Sequence, residues 1–476
     1  MPSKDFRSTD RDAPVLSGDA GTAINVLTAC LVQGTPAQTV SSLTRSGSTA
    51  TLTATGHGYK VGQEITVTGA TEAEWNGNWT VDTVPNTDDV TYTLGSLPAG
   101  SSATGTIKVA GEKTVGTPTT VSRSGSTVTV NLTSHGFSTG QRFRLEGANE
   151  TDYNGVWTIT AIGDSDNFDF DIGSATPSSP ATGTILIRYG QAGLGWTIPF
   201  TGASKAAYKQ GGGNGYYLRV NDANNDSTAR AYVTGYTAMT DVDSGSNAFP
   251  NSQTKEVLVR SVNTTSTARK WYLFGSEKLF HLLVQTGESF TNGTSAFHLF
   301  SFGDFKSFNT AATYDTHLWG RQYSFPSGTG ASNAAISYEY QNYLDSSGLT
   351  TRSSYGLYAA GTHSAVGETQ LGKFSASTMQ YNSTGVYYGG GATAQLAYPN
   401  ALGNSMILNP IYFYQASPQP TAIRGSCPGV WVPAHLNPAN NEDTLSGSGD
   451  LAGKSFIVIR MGTGTLLFET SDTWDD

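Results

Sequence analysis

Polar and apolar residues alternate with period two through two stretches of the first 190 positions, the pattern of half-buried strands. The first stretch holds residues 49–55 (Thr-Ala-Thr-Leu-Thr-Ala-Thr), 64–68, 79–84, 90–94 and 104–109. The second holds residues 128–132, 142–145, 157–162, 168–172 and 184–187. Counting the segment before each Ser-Gly-Ser turn, the pattern predicts about six short strands per stretch, enough for a small barrel or sandwich that closes over its own edges. Beyond residue 190 the pattern changes to nearly continuous apolar and aromatic runs: 215–220, 271–274, 280–284, 297–302, 410–414 and 456–460. Such runs predict strands buried on both faces. Between them, residues 325–400 are thick with Ser, Gly, Ala and Tyr and predict long surface loops.

The only helical pattern is short. Residues 20–32 place Ile24, Leu27, Leu31 and Val32 on one predicted apolar face, with Ser17 or Asp19 as the cap and Gly34 as the stop. A helix of about a dozen residues is marginal alone and needs a partner surface, either this chain's own next domain or another subunit.

The two alternating stretches are copies at a constant offset of 78 residues, as from Arg45 to Arg123. Shared residues include Arg45 to Thr49, His57-Gly58, Gly62-Gln63, Gly69-Ala70, Glu72, Asn76-Gly77, Trp79-Thr80 and Thr104 to Ile107, matched by Arg123 to Thr127, His135-Gly136, Gly140-Gln141, Gly147-Ala148, Glu150, Asn154-Gly155, Trp157-Thr158 and Thr182 to Ile185. Roughly 28 of about 72 aligned positions are identical without a gap, the mark of tandem modules. A module used twice in series suits a spacer or a binding unit better than a catalytic domain.

Composition narrows the partners. Only 13 % of residues are charged, while Gly numbers 56 and aromatic residues reach 11 %, a mixture that suits turn-rich β structure with real cores. The formal charge is −10 and no Lys/Arg cluster is present, so neither nucleic-acid binding through the backbone nor attraction to anionic membranes is expected. No apolar run is long enough for a membrane span, and the polar start of the chain gives no secretory signal. The two cysteines, Cys30 and Cys427, form no metal or disulfide spacing and read as buried small side chains, with a reducing site of synthesis.

Candidate chemistry is sparse. His57 and His135 each stand alone in a His-Gly-aromatic turn, without a second ligand at metal spacing, so they are expected to hold turns through their ring nitrogens. Asp222, Asn224 and Asp226 have the alternating oxygens that open a calcium loop but lack its Gly and distal Glu. Asp241 and Asp243 are similarly incomplete, and all five residues are expected in plain turns. Gly211 to Gly215 and Gly389 to Gly391 have no lysine in phosphate-loop position and read as loops. Asp304 and Glu339 lie among aromatics, as a glycosidase pair would, but spacing in sequence cannot supply the separation that pairing needs. No catalytic, cofactor or metal residue is assigned, and exposed Tyr and Trp leave sugar stacking open.

The repeated motif resembles modules recurrent in structural proteins of tailed bacteriophages, often likened to the first catalytic cysteine half-domain of ubiquitin-activating enzymes. The match is carried by residues 57–63, Gly69-Ala70, Asn76-Gly77 and residues 103–106, and again 78 residues later. No cysteine lies in either module, so no ubiquitin chemistry is implied. Residues 13–18 and 27–32, Gly195-Trp196 with residues 200–202, residues 239–245, 302–305 and 424–429, and Pro433 to His435 are similar to the same class of virion proteins. The resemblance implies a mostly β, multidomain structural protein of the phage tail or tail tip, made in the host cytoplasm and not an enzyme. It implies contacts with other phage structural proteins, a homo-oligomer and possible host-surface glycan. The alternative is a carbohydrate-binding spike or adhesin that cleaves glycan. The expected divisions are an arm and docking helix over 1–37, β modules over 38–110 and 116–188, and a large β-rich region over 190–476.

Overall fold

The computed structural model describes residues 2–223, 229–248, 256–261, 263–285, 297–308, 315–319, 321–322, 342–344, 350–352, 355–359, 408–415, 422–433, 440–461, 464–471 and 473–474. The protein is mostly β and falls into two compact units. One comprises Arg7–Pro14 and Leu27–Gly195; the other comprises Met1–Phe6, Val15–Val26 and Trp196–Asp476.

The first unit contains the two modules. In each, alternation sends one face of every strand inward: Ala50 and Leu52 from Thr49–Thr53, Val90 and Tyr92 from Asp89–Thr93, and Val128 and Val130 from Thr127–Asn131 are buried. Each module wraps around one core, centred on Trp75 in the first and on Phe143, Tyr153 and Phe168 in the second. Seven strands build each module rather than six. The additional one is the short leading strand, Ala37–Thr39 or Lys113–Gly116, which pairs with the last strand of its module.

The modules differ at one strand. Period two predicts equal strands over 79–84 and 157–162, yet the structure has Gly77–Thr80 in the first and Gly155–Ile162 in the second. Gly163 N donates to Asn167 O at 2.9 Å and closes the longer hairpin. Its counterpart is Pro85, which has no N–H to give. As a result the second module is one seven-stranded sheet, whereas the first is a four-stranded and a three-stranded sheet. Isolated bridges Thr44–Ser102 and Thr83–Thr91 tie the three-stranded sheet to the chain just before Gly105–Gly111 and just after Gly77–Thr80.

The predicted helix is an α-turn pair, Thr22–Leu27, continued by a π-helical segment, Thr28–Gln33. Gly34, at φ 81°, ends it and donates its N–H to Ala29 O at 2.7 Å. The buried positions are Ala23, Val26, Leu27, Ala29, Cys30 and Leu31, while Ile24 and Val32 are half-buried. The face is therefore rotated from the expected one, because the wider π turn shifts the phase and small Ala and Cys side chains permit close packing.

In the second unit, Thr197–Gly202, Lys205–Lys209, Tyr217–Asn221, Arg230–Tyr236, Glu256–Val259 and Arg321–Gln322 form one antiparallel sheet. Two further sheets face each other. One runs through Lys4–Arg7, Trp271–Gly275, Leu279–Gln285, Phe297–Asp304 and Thr316–Trp319; the other includes Leu408–Gln415, Ala422–Pro433, Ser455–Met461 and Gly464–Glu469. Every residue of Leu279–Gln285 is buried. The shared core joins Phe274, Leu283 and Leu299 of one sheet to Ile411, Val430, Ile459 and Phe468 of the other, as the continuous apolar runs predict.

Candidate functional site

The residues that recur between the modules are spent on holding each module's own shape. His57 Nδ1 accepts Tyr59 N–H at 2.9 Å, and His135 Nδ1 accepts Phe137 N–H at 3.0 Å. His135 Nε2 therefore carries the proton and donates to Asp164 O at 3.2 Å. Burial lowers the pKa of His57, which keeps the accepting form. Gln63 and Gln141 close the same turns by accepting the N–H of Lys60 and Ser138, each at 2.9 Å. Asn76 clasps Ala70 through both its N–H and its carbonyl, at 3.0 and 2.8 Å; Asn154 does the same to Ala148 at 2.9 and 2.8 Å.

The Glu and Thr-Gly-Thr motifs form one device. Glu72 accepts Thr104 N–H at 3.0 Å and Thr104 Oγ1–H at 2.8 Å; Glu150 accepts the same groups of Thr182 at 2.7 and 2.8 Å. Those hydrogen bonds hold both carboxyls below their usual pKa. Arg45 and Arg123 each fan over loop carbonyls, Arg45 reaching Pro98 O at 2.8 Å and Arg123 reaching Gly125 O at 2.8 Å. One recurrent pair escaped the sequence reading. Asp88 accepts Gly56 N–H and Asp166 accepts Ser134 N–H, both at 2.8 Å, and their matching offset was the available signal.

The contact between modules is made by residues that do not recur, with recurrent Gln63 as the exception. Lys60 of the first module is ion-paired with Glu146 of the second. Arg188, only 5 % exposed, donates to Gln63 and to Glu112 O at 2.9 Å and pairs with the Glu112 carboxylate at 3.2 Å. Arg144 also reaches Glu112, at 2.6 Å. Burial raises the Glu146 carboxyl pKa, but the hydrogen bond from Lys60 and the charges of Arg188, Lys60 and Arg144 together hold it below its ordinary value. The arm before the modules adds to this unit. Asp10 pairs with Arg142 at 2.6 Å, while Arg11 donates to His135 O at 3.1 Å and lies 4.5 Å from the centre of the Tyr189 ring. Connector residue Gly193 bonds Thr66 Oγ1 at 2.8 Å and Asn78 Nδ2 at 3.0 Å. None of these partners was legible in the sequence, since surface charges carry no periodic signal.

The calcium-like string resolves differently from its pattern. Asp222 is fully buried and ion-paired with equally buried Arg260. Its other oxygen accepts Ala23 N–H at 3.0 Å, so Asp222 caps the short helix in place of Ser17 or Asp19. Ser17 and Asp19 instead shape the preceding turn, Asp19 N–H reaching Ser17 Oγ at 3.1 Å. Burial pushes the Asp222 carboxyl up to about 6 against the pull of Arg260. Tyr208 OH donates to Ile24 O at 3.1 Å and Arg260 to Gly18 O at 3.1 Å, so this part of the leader is fastened to its own chain. Asn224 and Asp226 lie outside the described residues. Asp243 is ion-paired with Lys205 at 2.7 Å and with Arg219, and Asp241 accepts its N–H at 3.1 Å, a hairpin rather than a metal loop. Among the described residues no group of three His, Cys, Asp or Glu converges as a metal would require.

The remaining candidates are distributed as follows. Gly211 to Gly215 form a hairpin turn closed by Gln210 N–H to Tyr216 O at 3.0 Å. Asp304 is buried and accepts Gln210 at 3.0 Å, Asn214 N–H at 2.7 Å and the Thr316 hydroxyl. Burial raises its pKa, with the three donors opposing. Glu339 and Gly389 to Gly391 lie outside the described residues. Cys30 and Cys427 are free thiols, both buried, and burial pushes both upward in pKa. A set that the sequence did not suggest sits in the second unit's core: His281, Ser301 and His317, linked through Ser301 Oγ at 2.9 and 2.7 Å. All three are fully buried, so Ser301 lacks the exposure that a nucleophile needs. No helix among the described residues is long and apolar enough to cross a membrane.

No protein-family model and no curated protein matches the chain. Among solved structures, the phage phi92 endosialidase is similar over 73 % of this chain and 57 % of its own length, at 10 % identity and a TM-score of 0.15. The chain thus spans little more than half of that protein, and a likeness at that level carries no argument about fold or role.

Proposed function

We propose that this chain is a structural component of a tailed-phage particle, of the tail or its tip, acting through subunit assembly rather than catalysis. One observation carries the reading: the residues that recur at the 78-residue offset act twice in the same way, on turns, clasps and strand crossings within their own module. A duplicated module kept for its shape is a spacer or contact element. The ion-paired contact between the two modules favours a stiff pair over a flexible string. The phage assignment rests on the motif resemblance of residues 57–63, Gly69-Ala70, Asn76-Gly77 and residues 103–106 and their second copies. Partners on this reading are other virion proteins and further copies of the chain, with host-surface glycan as the outward contact.

The test is to purify particles of the phage encoding the chain, identify it by mass spectrometry and trace it by cryo-electron microscopy. Density in a tail ring or at the tip, with the two modules as a pair, supports the proposal. Absence of the chain from infectious particles overturns it.

A further inference from the structure

A polar line crosses the otherwise apolar core between the two facing sheets of the second unit. His317 Nε2 lies 2.7 Å from Ser301 Oγ, Ser301 Oγ lies 2.9 Å from His281 Nδ1, and His281 Nε2 lies 2.9 Å from Pro428 O. His281, Ser301 and His317 belong to neighbouring strands of one sheet, whereas Pro428 belongs to Ala422–Pro433 of the other.

The partners fix the protons. A carbonyl only accepts, so His281 Nε2 carries its hydrogen and Nδ1 must accept from the Ser301 hydroxyl. Ser301 Oγ then accepts from His317 Nε2–H. Both imidazoles are neutral in this arrangement, and the chain of donors runs one way from His317 to Pro428.

We propose that this His-Ser-His chain is a proton-sensitive latch: neutral, it ties the two sheets together at Pro428, and proton uptake by the imidazoles loosens them. Burial of a new cation outweighs what opposes it among the described residues, the carbonyls of Pro428 beside His281 and of Gly303 beside His317. Cys427 Sγ is 4.0 Å from His281 Nε2 and stays protonated, and the rings of Trp474 and Phe468 flank His281 while Phe305 lies beside His317. Asp304 and Asp315, beside these strands, are engaged by Asn214, and Glu469, next to Phe468 on the facing sheet, is held by Lys454 at 2.8 Å and Trp431 Nε1 at 3.2 Å. Each imidazole is the other's titrating neighbour, and their mutual repulsion further disfavours a charge on His317.

Burial lowers the pKa of His281 to about 4 and that of His317 well below its ordinary value. Because both folded-state pKa values lie below the unfolded value near 6.5, the opened form binds more protons in that window. Stability is complete above about pH 6.5 and is lost as pH falls toward 4.

The test uses the full chain between pH 7.5 and 4, with hydrogen exchange of segments 279–285 and 422–433 corrected for intrinsic rates. The opened population should rise about 10-fold per pH unit for one imidazole and about 100-fold where both take protons together. The double variant His281→Gln/His317→Gln should lose that dependence. A wild-type profile without slope, or a slope that survives in the double variant, overturns the proposal. Histidine-labelled wild-type protein gives a reading independent of how the variant folds. The imidazoles of His281 and His317 should remain neutral Nε2–H forms at pH 6, alongside that of buried His57, and ordinary titration near 6.5 by both His281 and His317 would overturn the latch.

Discussion

Replacing Gly69 or Gly147 by Ala should cost far more than replacing Gly47 or Gly125, although all four glycines lie in the left-handed region. Their φ values are 84°, 85°, 61° and 63°. An L-residue there costs roughly 1–2 kcal/mol, and that part is common to all four. The difference is space. A Cβ on Gly69 would lie 2.1 Å from Thr106 O, and one on Gly147 would lie 2.1 Å from Thr184 O; at Gly47 and Gly125 nothing lies within 4 Å. The obstructing atom is backbone in the partner strand, at the irregular register between Thr68 and Ala70, so relief requires moving the strand itself. Losing two ladder hydrogen bonds there adds about 1 kcal/mol each, for a total of about 3–4 kcal/mol. Hydrogen exchange on the full chain measures this locally, over segments 64–70 and 105–111 for Gly69→Ala. Protection should fall several-hundredfold there, on the order of 10-fold for Gly47→Ala, while the untouched module acts as an internal reference. Equal losses for the two substitutions would refute the steric argument.

Other consequences can be measured on the same protein. Arg188→Ala leaves the Glu112 and Glu146 carboxylates short of their buried partner and should cost about 3 kcal/mol, seen as faster exchange at 142–148 and a broader separation of the modules in small-angle scattering. Asp222→Ala strands the Arg260 charge and removes a cap, so residues 15–27 should lose protection by about 3–5 kcal/mol, with Asp222→Ala/Arg260→Met recovering part of it. The Glu72 and Glu150 pKa values are depressed by hydrogen bonds from Thr104 and Thr182, so their contribution is complete above the ordinary carboxylate pKa and is lost as pH falls through the folded value. Amide exchange at Thr104 and Thr182 should therefore become acid-sensitive, and Glu72→Gln and Glu150→Gln should abolish that sensitivity; unchanged profiles would count against the clamp.

What the sequence made legible follows from which interactions are periodic. Strand positions such as Ala50, Leu52, Val128 and Val130 announce themselves because one face repeats every second residue. The fixed offset between copies also marked His57, Gly69, Asn76 and Glu72 as residues the module needs, before their bonds were known. The missing strand bonds after Thr80 trace to Pro85, a local cause that alternation alone does not weigh. Asp222 was misplaced because a buried ion pair is made by two distant positions, and only Asp222 stood in a suggestive string. The His281, Ser301 and His317 set was invisible for the same reason: each sits in an ordinary apolar strand run, and the registers of Leu279–Gln285, Phe297–Asp304 and Thr316–Trp319 bring them together.

The charged contact between the modules has a consequence for counting. At the 78-residue offset Lys60 becomes Ser138, Glu112 becomes Gly190, Glu146 corresponds to Thr68 and Arg188 to Ala110. Each module thus presents only one half of the joint, and the halves differ. A third copy of either module spliced into the chain would carry a fold that closes but a side with no complementary charge to meet. The duplication is therefore self-limiting: the joint has a valence of one, and it sets the length of the pair at two.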